Sequence, residues 1–132
     1  MKIDAIIKDI QKQIAIANKI ESIEELISIN LRLAGYLPFL AETENTLHLG
    51  YLNAYNERKY QTAVFIQNGN GSHADRLNKA EIDIKDYRDA ESTLENQYEF
   101  IRGQRDSLKK FIDVLTQKIS YLKKEKESNG VI

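Results

Sequence analysis

Residues 51–61 read YLNAYNERKYQ, with Tyr51, Tyr55 and Tyr60 interleaved with Arg58 and Lys59. A tyrosine ring can stack on an unpaired base while a neighbouring guanidinium or ammonium group meets phosphate. Arg58, Lys59, Tyr55 and Tyr60 are therefore the candidate DNA-binding residues. The plainer reading of the same stretch makes Tyr51 and Tyr55 core residues at helical spacing and Arg58 and Lys59 ordinary surface charge.

Other chemistry-bearing residues carry less. His48 and His73 are far apart in sequence, and neither sits in an H-E-x-x-H pair. No metal site, catalytic residue or cofactor is expected from them. Asp83, Asp86, Asp89 and Glu91 crowd one segment, but Lys79, Lys85 and Arg88 alternate with them. Glu81 and Lys85 have the spacing of a helical ion pair, so this is read as a solvated, salt-laced face. The stretch NGNGSH, residues 68–73, has the glycines of a phosphate cradle without the G-K-[ST] ending of a P-loop. Asn and Gly reach positive φ cheaply, which suits a chain-reversing loop.

These residues must be carried by helices. Ile3, Ile7, Ile10, Ile14 and Ala17 are spaced 4, 3, 4 and 3, one stripe of a first helix over about 2–20. Ser22 and Glu25 have the spacing of a capping box before a second helix, 23–36. Gly35 and Pro38 predict a kink or short break, since proline lacks an N–H and clashes with the preceding turn. A third helix is expected over 42–66, a loop over 67–74, a fourth helix over 75–126, and a frayed tail over 127–132. Apolar residues recur in the fourth segment at alternating steps of 3 and 4. Leu94, Tyr98, Ile101, Leu108, Ile112, Leu115, Ile119 and Leu122 belong to that heptad seam and are the expected oligomer-seam residues. Glu91 and Arg105 interrupt it, and Gly103 is where the rod could bend or break. A rod of that kind cannot bury its seam alone: the earlier segments fold back on it, or another subunit covers it. The expected fold is all-α, a helical hairpin with a long C-terminal coiled-coil-like helix in a homo-oligomer.

Length and composition agree. The 132 residues suit one domain, and 42% hydrophobic, 8% aromatic and 30% charged residues suit long helices with narrow apolar seams. Nineteen Lys and Arg face twenty Asp and Glu, so a uniformly basic DNA-coating protein is excluded and any strand contact must be a local patch. Cysteine is absent, which removes thiolate chemistry and fits a reducing cytoplasm. The N-terminal MKIDAIIKDIQKQ interleaves charge with isoleucine and reads neither as a signal peptide nor as a membrane span.

The order of parts carries a resemblance. A greasy segment ends LAGYLPFLAE, and a polar helix ends AYNERKYQTAVFIQNGNG. A KAE…YRDAE stretch follows, then the helix YEFIRGQRDSLKKFIDVLTQKISYLKKE. From about Ser22 to Glu125, at the level of pattern, the chain resembles the UvsY-like family of phage recombination mediators. The resemblance implies a non-enzymatic homo-oligomer, a ring of several subunits in the host cytoplasm. Such a ring would bind single-stranded DNA and help load a RecA-like recombinase onto strands coated by a single-strand-binding protein. Basic residues late in the helix before the Gly loop contribute to DNA contact in that family. Lys59 matches one, Arg58 is its neighbour, and a second basic position falls near the uncharged Gln61. The alternative is a coiled-coil interaction module, a scaffold or an inhibitor of a host defence protein, that binds no nucleic acid.

Overall fold

The computed structural model describes residues 2–129, of which four helices take up nearly all: α1 Ile3–Ala17, α2 Ile23–Asn68, α3 His73–Asp83 and α4 Lys85–Ser128. No strand occurs among the described residues, so the chain is all-α. Met1 and residues 130–132, the end of the expected frayed tail, lie outside the described residues. Up to Ser128 the expected tail is helix.

The residues group into two compact units. The first comprises residues 2–43 and 101–129, hence α1, the N-terminal part of α2 and the C-terminal part of α4. The apolar stripe of α1 is buried there: Ile6, Ile7, Ile10 and Ala17, with Gln13 among them. Ile6 lies at the centre of that stripe, whereas Ile3 and Ile14 are only half-buried. From α2 come Leu26, Ile29, Leu33, Tyr36 and Leu40, and from α4 Ile101, Leu108, Leu115 and Ile119. Burying each large aliphatic side chain contributes about 1.5–3 kcal/mol. Polar contacts fix the helices against each other. Asn30 Nδ2 donates to Thr116 Oγ1 at 3.1 Å, and Lys118 Nζ donates to the carbonyls of Ala17 and Ile20, both at 3.1 Å. The lysine thus places a cation on the carbonyl end of α1, where the helix dipole favours it.

These burials answer the question posed by the heptad seam. Ile101, Leu108, Leu115 and Ile119 are covered by this chain's own helices, and Ile112 and Leu122 are half-buried beside them. The earlier segments fold back on this half of the seam, so these residues serve as core before any second subunit is involved.

Two expected helix boundaries move. One helix covers both 23–36 and 42–66, so no break occurs at Gly35–Pro38. Pro38 deprives the carbonyl of Ala34 of its partner, but both residues are exposed and water can take that place. Leu33, Tyr36 and Leu40, all buried, hold the helix on either side. In the opposite sense, the single helix expected over 75–126 is two, separated by Ile84, while α4 runs unbroken through Gly103. Ile84 is fully buried, and its N–H donates to the Ala80 carbonyl at 2.9 Å to close α3.

The second unit spans residues 44–100. Its apolar core is thin: Ala80 and Ile84 are its buried hydrophobic residues. Half-buried aromatics supply much of the rest. His48 packs on Tyr98 with ring centroids 4.8 Å apart, and Phe65 meets Tyr87 at 6.5 Å. Leu94 lies 3.6 Å from the position a Cβ would take on Gly50. Leu94 and Tyr98, the N-terminal members of the expected seam, therefore face α2.

The Asn/Gly stretch is the connection between α2 and α3. Gly71 has φ +95°, the left-handed conformation that favours glycine. Ser72 and Asp75 form a full capping box, with Asp75 N–H donating to Ser72 Oγ at 3.1 Å and Ser72 N–H donating to Asp75 Oδ2 at 3.4 Å. The carboxylate of Asp75 occupies the helix N-terminus that a phosphate would need, so the bend reading fits this loop and the phosphate cradle does not.

Candidate nucleic-acid interface

Tyr55, Arg58 and Lys59 lie on α2, with Arg58 three and Lys59 four positions after Tyr55, which brings them to one face of the helix. Both cations lie over the Tyr55 ring, Arg58 Cζ 5.3 Å and Lys59 Nζ 4.8 Å from its centroid. Tyr60 is 63% exposed, and Lys59 is exposed beside it. Tyr55, Arg58 and Lys59 are thus assembled into one aromatic and cationic cluster, whereas Tyr60, five positions after Tyr55, is turned roughly 140° from it around the helix.

Arg58 is already engaged. Its Nε donates to Glu91 Oε2 of α4 in a tight ion pair, with the two side chains only 18% and 13% exposed. The hydrogen bond to Glu91 raises the guanidinium above its ordinary value, with burial opposing. Glu91, an exception in the apolar seam, is there to receive Arg58. Of the two basic residues, Lys59 is the one placed to meet phosphate. The uncharged Gln61 has its amide bound to Glu57 Oε1 at 3.0 Å. Thr62 donates back to the Arg58 carbonyl at 2.7 Å.

The surroundings are acidic. Residues 44–100 carry six basic against ten acidic residues. The phenol of Tyr51 is pushed up chiefly by the charge of Glu95, then by burial. Glu81 pairs with Arg88, whose Nη2 lies 3.0 and 2.9 Å from its two oxygens. The two histidines have separate settings: His48 stacks on Tyr98, and His73 opens α3. Among the described residues no group of three or more His, Cys, Asp or Glu is arranged for a metal ion. No helix among them is long and apolar enough to cross a membrane.

Two features escaped the sequence reading. In the first unit Asp9 accepts from Tyr36 Oη, from Arg32 Nε at 2.7 Å and from Gln13 Nε2 at 3.2 Å. Burial alone would raise this carboxyl, but the three hydrogen bonds outweigh it and hold Asp9 below its ordinary 3.8. Only the Asp9–Gln13 contact, at i,i+4, is readable from spacing; Arg32 and Tyr36 come from another helix. The second feature is a set of exposed apolar residues on α4, Phe100, Val114 and Tyr121, out of phase with the seam. Their 7-residue and 14-residue spacing is a sequence signal that the stronger seam pattern masks.

Fold and patch together define an all-α chain of long helices with an aromatic and cationic cluster near the end of its second helix. No family model, no curated protein and no solved structure matches it.

Proposed function

We propose that this chain is a non-enzymatic accessory protein that holds single-stranded DNA as a homo-oligomer and assists loading of a RecA-like recombinase onto strands coated by a single-strand-binding protein. Its helical-hairpin, coiled-coil-like build and its phage origin belong to the same reading. The observation that carries it is the cluster at Tyr55, where Arg58 and Lys59 lie over one ring, with the exposed Tyr60 next to Lys59 in sequence. Tyr60 would stack on a base and Lys59 would meet phosphate. Arg58, held by Glu91, would set the position of Tyr55. One such patch binds weakly; several copies in one ring would engage a strand together, with affinity raised roughly 10²–10⁴-fold in favourable geometry.

A second reading has its own support. The net acidity of residues 44–100 disfavours a polyanion, as expected of a protein-interaction module, a scaffold or an inhibitor. Fluorescence anisotropy with an oligo-dT probe decides between them. Binding at low salt that falls steeply with salt, and is lost in Lys59→Ala/Tyr60→Ala, supports the DNA reading. Absence of binding at low salt rejects it in favour of the interaction module.

A further inference from the structure

Opposite the buried seam, α4 carries a second row whose steps also alternate between 3 and 4. The row starts at Asp86 and Asp89, passes Phe100, Gly103, Ser107 and Lys110, and ends at Tyr121 and Lys124. Every one of these residues is exposed. Phe100, Val114 and Tyr121, all in the row, are 54%, 59% and 66% exposed. Charge is distributed unevenly along the helix. Residues 85–100 carry two basic against five acidic residues, and residues 101–128 carry eight basic against four acidic.

We propose that this row is a self-recognition face that pairs antiparallel with α4 of a second copy, centred between Gly103 and Ser107. Reversed on itself about that centre, the row sets Asp86 against Lys124, places Lys110 over the Phe100 ring, and opposes Gly103 to Ser107. The first is an ion pair and the second a cation–aromatic contact. The third is a pair of small residues where two helix backbones can approach closely. An isologous twofold interface makes each contact twice, so it requires a surface complementary to its own reverse. The acidic start, Lys110 and Lys124, and the small midpoint of this row meet that requirement, which a foreign partner would not impose, while the same register sets Tyr121 against Asp89 and Val114 against Asn96. Steps of 3 and 4 keep the row on one side of a supercoiled helix pair. One flank opposes association: Asp106 of each copy meets its counterpart near the twofold axis, and Glu99 approaches Asp113. This pairing closes at two copies, so it is a dimer contact distinct from the several-copy ring invoked above, and it does not depend on DNA binding.

The chain contains no cysteine, so Gly103→Cys and Ser107→Cys each add a single thiol, and a side chain on Gly103 meets nothing within 4 Å. Mixed and mildly oxidised, the two variants are expected to yield mainly the heterodimer, in which the thiol of one variant is cross-linked to the thiol of the other. Preference for either homodimer, or absence of cross-linking, overturns the register. Sedimentation equilibrium supplies the second measurement. Lys124→Glu is expected to weaken association roughly tenfold, since two attractive pairs become repulsive. Asp86→Lys in the same chain is expected to restore it, and Asp106→Asn to strengthen it. If all three variants associate like the unmodified chain, or if that chain is a monomer throughout, the proposal fails. A dimer without affinity for oligo-dT would leave this face in place and remove the DNA reading. A monomer that binds oligo-dT would do the reverse.

Discussion

Arg58 and Lys59 are sequence neighbours with opposite surroundings, and that difference sets what each substitution does. Arg58→Ala leaves Glu91 as an almost buried carboxylate without its partner, which costs about 3–5 kcal/mol at a fully buried pair and less at this partly exposed one. Its expected signature is a lowered urea midpoint together with weaker oligo-dT binding, the second because Tyr55 loses its support. Lys59→Ala is expected to leave the urea midpoint unchanged while reducing the salt slope of binding by about one per copy engaged. Equal effects of the two variants on stability would contradict the asymmetry. Asp9 supplies the pH dependence. Its carboxyl is held below the ordinary value when folded, so its contribution is present above about pH 4, the unfolded range, and is lost as pH falls through the folded value. Arg32, raised by its hydrogen bond to Asp9, stays charged throughout. In urea titrations at a series of pH values, Asp9→Asn is expected to be less stable than the unmodified chain at neutral pH. The difference should shrink on acidification. A gap that stays constant down through the carboxylate range would show that Asp9 acts through packing rather than through its charge.

At the level of elements, the heptad seam and the stripe of α1 were legible because a buried face imposes its period on the sequence, as Ile101, Leu108, Leu115 and Ile119 do on α4. The breaks were less legible, because local signals compete with packing that the sequence does not display. Gly35 and Pro38 argue for a stop, yet the burial of Leu33, Tyr36 and Leu40 carries the helix past them. Ile84 fits the heptad and still separates two helices. The same division holds for the patch. Tyr55, Arg58 and Lys59 are neighbours by helical spacing, whereas Glu91, thirty-three positions from Arg58, could not be assigned to it without the fold. If Pro38 is tolerated rather than required, Pro38→Ala should stabilise α2 by up to about 3 kcal/mol and Gly35→Ala by about 1 kcal/mol, since both sites are exposed. A methyl on Gly35 meets nothing within 4 Å. A fall in the thermal midpoint of Pro38→Ala would show that the proline shapes the helix in a way the rest of the fold needs.

Across the whole molecule the buried apolar residues are unevenly shared. Of the fifteen among the described residues, only Ala80 and Ile84 belong to residues 44–100; the other thirteen belong to residues 2–43 and 101–129. Local opening free energy follows buried apolar contact, so the two units should differ in protection although α2 and α4 each contribute to both. Hydrogen exchange read residue by residue should show the slowest amides at Leu26–Leu40 and at 101–119. Faster exchange is expected at 47–66 and 85–98, within the same two helices. The proposed strand-binding patch lies in the less protected unit, where a ligand that orders Tyr55, Lys59 and Tyr60 would have the most to gain. Saturating oligo-dT should therefore slow exchange at 51–66 more than at 26–40. Uniform protection along α2 in the free chain would contradict the division of the core. Unchanged exchange at 51–66 with the probe bound would move the DNA contact away from Lys59 and Tyr60.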